Sequence, residues 1–165
     1  MKKAVLAFII AATMVGTAGS AWAKELKVGY INLSLVFDSY EKTKAFDADL
    51  QKEAEEKRVQ REKIVEDVKK LRDELELMSA EARVDKQAAV DEKVQELQAF
   101  DRDIRLALRR KRDTMIREIL KEIDDIIQAY GNEKKFDYIY NDRVLLYKTE
   151  EADISQDIIS RLNKS

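Results

Sequence analysis

The chain has 165 residues, 39% of them Asp, Glu, Lys or Arg, and a formal net charge of −2, with no cysteine, histidine or proline. Those absences exclude disulfide stapling, soft metal ligands, a cysteine nucleophile and a histidine base. Slight acidity also argues against a dedicated nucleic-acid binder, and without a phosphate loop or a predicted cleft no enzyme activity and no cofactor are expected.

Met1-Lys2-Lys3 gives a positive start, Ala4 to Ala18 an apolar run, and Ala21-Trp22-Ala23 a small-x-small cleavage site. Residues 1–23 therefore read as a signal peptide cut after Ala23, which implies export to the periplasm. A membrane anchor is the alternative, but the run falls short of the roughly 20 residues that span a bilayer. Cleavage removes Lys2 and Lys3, so 29 basic and 33 acidic side chains remain.

Leu26 to Ile31 reads as a strand, with Leu26, Val28 and Tyr30 on one face. Asn32 or Ser34 can cap a short helical turn carrying Leu35, Val36 and Phe37, and Asp38 or Ser39 can cap the long helical segment after it. From 30 to 130 there is no glycine. Over 41–130 apolar residues recur at 3–4 spacing: Phe46, Leu50 and Ala54, then Ile64, Val68, Leu71, Leu75 and Met78. The seam returns as Val90, Val94, Leu97, Ile104 and Leu108, and again from Ile116 to Tyr130.

The phase slips between, near 78–84, where Ser79 can cap a new helix; this predicts the tip of an antiparallel hairpin. One continuous helix of roughly 135 Å is the alternative. In the hairpin, paired positions sum to about 162, so that Arg61 meets Asp101 at seam positions where an apolar residue is expected. Two readings stay open for that pair, solvated surface charges or a register-setting contact.

Gly131 reads as a helix C-cap. Phe136 to Tyr140 alternates as a strand, Asn141-Asp142 suits a two-residue hairpin turn, and Val144 to Tyr147 reads as the return strand. Asp153 and Gln156 resemble a capping box before a last helix carrying Ile154, Ile158 and Leu162. Within 41–129 only Phe46 and Phe100 are aromatic, so 24–40 and 131–165 read as a ring-bearing, β-rich base and 41–130 as a thin arm. The predicted fold is α+β, predominantly α. Its base is too small to stand alone, which points to self-association through Val28, Tyr30, Ile31, Phe37, Phe136, Tyr138, Ile139, Leu145 and Tyr147. Mid-arm, Arg102, Arg105, Arg109, Arg110, Lys111, Arg112 and Arg117 form a basic cluster. It reads either as a solvated helix face or as attraction for acidic clients. Ala88, Ala89, Val90, Val94 and Ala107 are seam residues or shallow adhesive patches.

Val28-Gly29-Tyr30-Ile31-Asn32 with Leu35 and Phe37, then Phe136-Asp137-Tyr138-Ile139, Leu146-Tyr147, Asp153-Ile154-Ser155 and Leu162-Asn163, in that order around a charged hairpin, resemble the Skp (OmpH-like) family of periplasmic chaperones. The resemblance implies a homotrimer with a shared β base. Three arms would enclose a cavity that holds unfolded outer-membrane proteins without ATP. Several relatives are basic, whereas this chain is slightly acidic, which leaves membrane or lipopolysaccharide contact open. The competing class is a coiled-coil adaptor or spacer that binds one folded partner.

Overall fold

The computed structural model describes residues 25–164, without the side chains of residues 80, 81 and 85. The expected signal segment, residues 1–23, lies outside the described residues.

Strand β1 (Val28–Ile31) passes through Asn32 into helix α1 (Leu33–Ser39). Asn32 Oδ1 accepts from the Leu35 N–H at 2.9 Å, the capping role its side chain suits. Helix α2 (Glu41–Glu76) then starts at Tyr40, whose side chain makes no cap. Neither Asp38 nor Ser39 occupies the capping position. The cap comes from the far end of the chain: Asn163 Oδ1 accepts from the Glu41 N–H at 2.9 Å, and Asn163 Nδ2 donates to the Ser39 carbonyl. One orphan donor of the helix start is thereby satisfied by a tertiary contact.

Helix α3 (Ala80–Lys134) runs back against α2, so the hairpin holds and the single-helix alternative is excluded. Ser79 sits at the N-cap, though its hydroxyl makes no capping bond. Cross-arm ion pairs report the register. Arg61 reaches Asp101 through two hydrogen bonds of 2.8 and 3.2 Å, Lys111 reaches Asp49 and Glu53 at 2.7 and 2.5 Å, and Lys86 reaches Glu74 at 2.5 Å. Each pair lies within two residues of the expected pairing.

Gly131 does not stop α3. The helix continues to Lys134, and Lys135 takes the left-handed cap at φ 58°. Gly131 serves close packing instead, since a Cβ there would stand 3.3 Å from Ile139 Cδ1. Strand β2 (Tyr138–Asn141) pairs parallel to β1, with Val28 opposite Tyr138 and Ile31 opposite Asn141. Parallel pairing needs a long crossover, and the whole hairpin supplies it.

The expected hairpin of β2 with a return strand over Val144–Tyr147 is therefore not formed. Asn141 Oδ1 accepts from the Arg143 N–H and opens a 3-10 turn (Asp142–Val144). No strand is assigned over 145–147. A second turn (Glu150–Ala152) precedes helix α4 (Ser155–Leu162). The Asp153 carboxylate accepts from both the N–H and the hydroxyl of Ser155, so the expected box with Gln156 does not form.

The core sits in the base, where α1, the lower part of α3 and α4 meet. Val36, Ile119, Ile123 and Ile158 are at most 1% exposed there. The Phe136 ring stacks on Tyr130 at 5.9 Å and lies so close to Gly29 that a Cβ would come within 2.8 Å of it. The architecture is α+β and predominantly helical: a long two-helix arm on a small base with a two-stranded sheet.

Candidate functional site

Two surfaces stand out, one on the base and one along the arm. On the base, the residues expected to drive self-association divide into two groups. Tyr30 and Ile31 are buried in the chain's own core, and Phe37, Phe136 and Ile139 pack against it. Val28, Tyr138 and Tyr147 remain exposed, while Leu145 is half-buried. One edge of β1 is occupied by β2, and Tyr30 bridges Asp153 on the other. No third strand lies beyond β2 among the described residues. On β2, Tyr138 and Tyr140 stack their rings 6.0 Å apart, and both are exposed. Leu146 and Tyr147 stand out nearby. An unpaired strand edge beside exposed aromatic rings is a template for another chain.

Electrostatic contacts lock the base to the arm. Glu122 on α3 accepts from the Tyr40 hydroxyl and pairs with Lys42 on α2. Lys42 holds the Glu122 carboxyl below its ordinary range despite partial desolvation. Tyr130 donates to Asp157 on α4, and desolvation together with that bond pushes its hydroxyl up to about 12. Arg161 on α4 bonds Glu133 on α3, and that bond, assisted by Lys134, brings the Glu133 carboxyl down to about 2. Glu122, Glu133, Asp157 and Arg161 did not stand out in the sequence, because each acts through a partner that folding brings near.

Along the arm the seam is incomplete. Positions 54, 57 and 61 of α2 would carry large apolar residues in a continuous coiled coil, and they hold Ala, Lys and Arg. Ile104 and Leu108 on α3 are left under-covered, and an open depression lies along each flank of the arm. On one flank the depressions measure about 320 and 350 Å³. Ala54, Ile104 and Leu108 form their floor, with Lys57, Arg58, Arg61, Arg105, Arg109 and Arg112 around the rim and Asp101 among them. On the other flank, Phe100 and Ala107 are bordered by Glu53, Lys57 and Asp103, with Asp49, Lys52 and Glu56 beyond them. At 100° per residue, Glu53 is turned 100° from Ala54 on α2, and Arg105 and Ala107 lie on nearly opposite sides of α3.

The structure therefore breaks up the basic cluster. Lys111 faces across the seam to Asp49 and Glu53, and Arg102 pairs with its neighbour Asp103. Arg117 donates to the Thr114 hydroxyl. Arg110 lies outside both flanks. Arg105, Arg109 and Arg112 share one line. Arg105 donates to the Asp101 carbonyl, Arg109 stands 4.0 Å from Asp113, and no ion pair holds Arg112 among the described residues. Of the small apolar residues, Val90 is buried and Val94 half-buried in the seam, while Ala88 and Ala107 are exposed. The signal that could have located the depression is the run of small and charged residues at 54, 57 and 61.

No cluster of carboxylates among the described residues is placed to hold a metal ion. No described helix is long and apolar enough to cross a membrane. A family model described as Outer membrane protein (OmpH-like) matches residues 27–162. A crystal structure from Caulobacter crescentus CB15, of a candidate outer membrane chaperone (OmpH-like), superposes with a TM-score of 0.78 at 13% identity. The match covers 84% of this chain and 85% of that one. No curated protein matches the sequence.

Proposed function

The chain belongs to the OmpH-like outer membrane protein family, and from that premise we propose that it is a periplasmic, ATP-independent holdase. Its arms would bind unfolded outer-membrane proteins and keep them from aggregating. The observation that carries this reading is the division of the molecule. Aromatic residues and an unpaired strand edge collect on the base, while the arm exposes an interrupted seam to solvent. A two-stranded sheet is marginal alone. Self-assembly, as the trimer the family resemblance implies, would cover Val28, Tyr138 and Tyr147. The segment 145–147 has strand-forming residues and extended backbone at Leu145, and it would add to a neighbour's sheet. Three arms on one base raise the effective concentration of many weak contacts for a chain already held by one of them.

The test is suppression of aggregation when a urea-unfolded outer-membrane barrel protein is diluted into stoichiometric amounts of this protein. Solution mass is measured in parallel. Protection by a trimer supports the reading. A monomer that protects nothing, or capture of a single folded partner, favours the adaptor instead. The only tryptophan is Trp22. Cleavage after Ala23 would remove it, so client tryptophan emission would report binding without background.

A further inference from the structure

We infer that the arginine-rimmed depression on one flank of the arm is a docking groove for extended acidic segments in which carboxylates alternate with apolar side chains. The inference rests on the holdase reading and names the kind of segment that its arm would take.

The groove exists because the seam gives up burial. A large side chain at position 54 would cover Leu108, and apolar residues at 57 and 61 would close over Ile104. Ala, Lys and Arg there leave an apolar floor open to water at a cost in arm stability. The rim supplies charges that the chain neutralises only in part. At the tip-ward end, Arg58 is held by Glu55 and Glu62, and Arg61 by Asp101. Toward the base, Arg105 and Arg112 have no carboxylate partner among the described residues, and Arg109 has only Asp113 at 4.0 Å.

Their spacing of four and three residues along α3 sets rises of about 6 and 4.5 Å. Same-face residues of an extended chain recur about every 6.7 Å. Long arginine side chains absorb the mismatch, so alternate carboxylates could meet successive guanidinium groups while the intervening apolar side chains enter the floor. Guanidinium forks suit carboxylates in bidentate geometry. The opposite flank mixes Asp49, Glu53, Glu56 and Asp103 with Lys52, Lys57 and the bridging Lys111, and it offers the same segment no row of arginines. Binding should therefore be confined to one flank.

The experiment uses the full chain without its signal segment and two dye-labelled probes, an alternating Leu-Glu hexapeptide and an alternating Leu-Lys hexapeptide. The acidic probe should bind more tightly. Replacing Arg105, Arg109 and Arg112 together by Ser should weaken it about tenfold without affecting the basic probe. Ala54→Leu, which fills the floor and keeps every charge, should weaken the acidic probe as well. A photo-crosslinking residue at Gln51, beside Leu50 and Arg112, should capture an unfolded acidic barrel protein, whereas one at Lys52, beside Glu53 and Glu56, should not.

Equal binding of both probes, an unaffected triple variant, or crosslinks from Gln51 only to another copy of this chain would overturn the groove. If the triple variant still protects the barrel protein as well as wild type does, the groove falls and the holdase stands. If wild type binds the acidic probe but protects no unfolded chain, the holdase falls and the groove stands.

Discussion

In the base, Val36, Ile119, Ile123 and Ile158 are sealed from water, and residues more than 100 positions apart in sequence exchange hydrogen bonds. Between residues 44 and 114, by contrast, only Val68 and Val90 are buried among the described residues, and the ion pairs that cross the arm leave their side chains partly open to water. Burial gives roughly 25 cal/mol per Å² of apolar surface, whereas an exposed ion pair gives about 0–1 kcal/mol. One chain thus combines a rigid platform with a limb held by modest forces. For the proposed holdase, this keeps dense packing away from the surface that would touch its clients.

Core truncation should break the comparison most clearly. Ile119→Ala should cost about 3–4 kcal/mol because it opens a cavity in a sealed site, whereas Val68→Ala on the arm should cost about 1 kcal/mol. Urea unfolding followed by circular dichroism measures both, and equal losses would mean that the arm is packed as tightly as the base.

The second effect is alkaline. The Tyr130 hydroxyl has its pKa raised to about 12 against an ordinary value of 10.0. Its contribution is complete below the ordinary value and is lost as pH rises through the raised one. Unfolding midpoints should fall over that window, and Tyr130→Phe should remove its share of the fall. The acid side has the opposite sign. Glu133 has its pKa lowered to about 2 from 4.5, so its tether to Arg161 is complete above the ordinary value and is lost as pH falls toward the lowered one.

A smaller effect sharpens the arm side of the comparison. Ala54→Leu should stabilise the hairpin by about 1 kcal/mol by covering Leu108, and should slow amide exchange around residues 50–60 and 100–110. The smallest effect concerns Arg61 and Asp101. Their side chains are 47% and 34% exposed, so Asp101→Leu should leave arm register unchanged on cysteine cross-linking between positions 68 and 94. Altered cross-links would show that the pair sets register.

The hairpin and its register were legible because the 3–4 spacing repeats over many turns, and Arg61 and Asp101 meet where that spacing puts them. Asn32 was legible as a cap because its bond is local. The base was less so. Asn141-Asp142 satisfies a hairpin turn and a 3-10 turn equally well, and only the arm's return beside β1 decides for parallel pairing. Gly131 looked like a stop, yet α3 tolerates it because Ile139 packs where a Cβ would stand. The cap of α2 could not be read at all, since it is supplied by Asn163. On the arm, composition showed that basic residues cluster, but not that α3 turns Lys111 inward and aligns Arg105, Arg109 and Arg112 beside the seam.

Helix α3 runs unbroken from Ala80 to Lys134 and serves both regions, with Met115, Ile119 and Ile123 clamped in the base. The portion beyond Met115 projects roughly 50 Å at 1.5 Å per residue. It therefore behaves as a lever whose fulcrum is the isoleucine-rich clamp. A tilt of about 5° at that fulcrum would sweep the far end by about 4–5 Å over such a length, so subtle repacking among Ile119, Ile123 and Ile158 translates into wide excursions at the extremity.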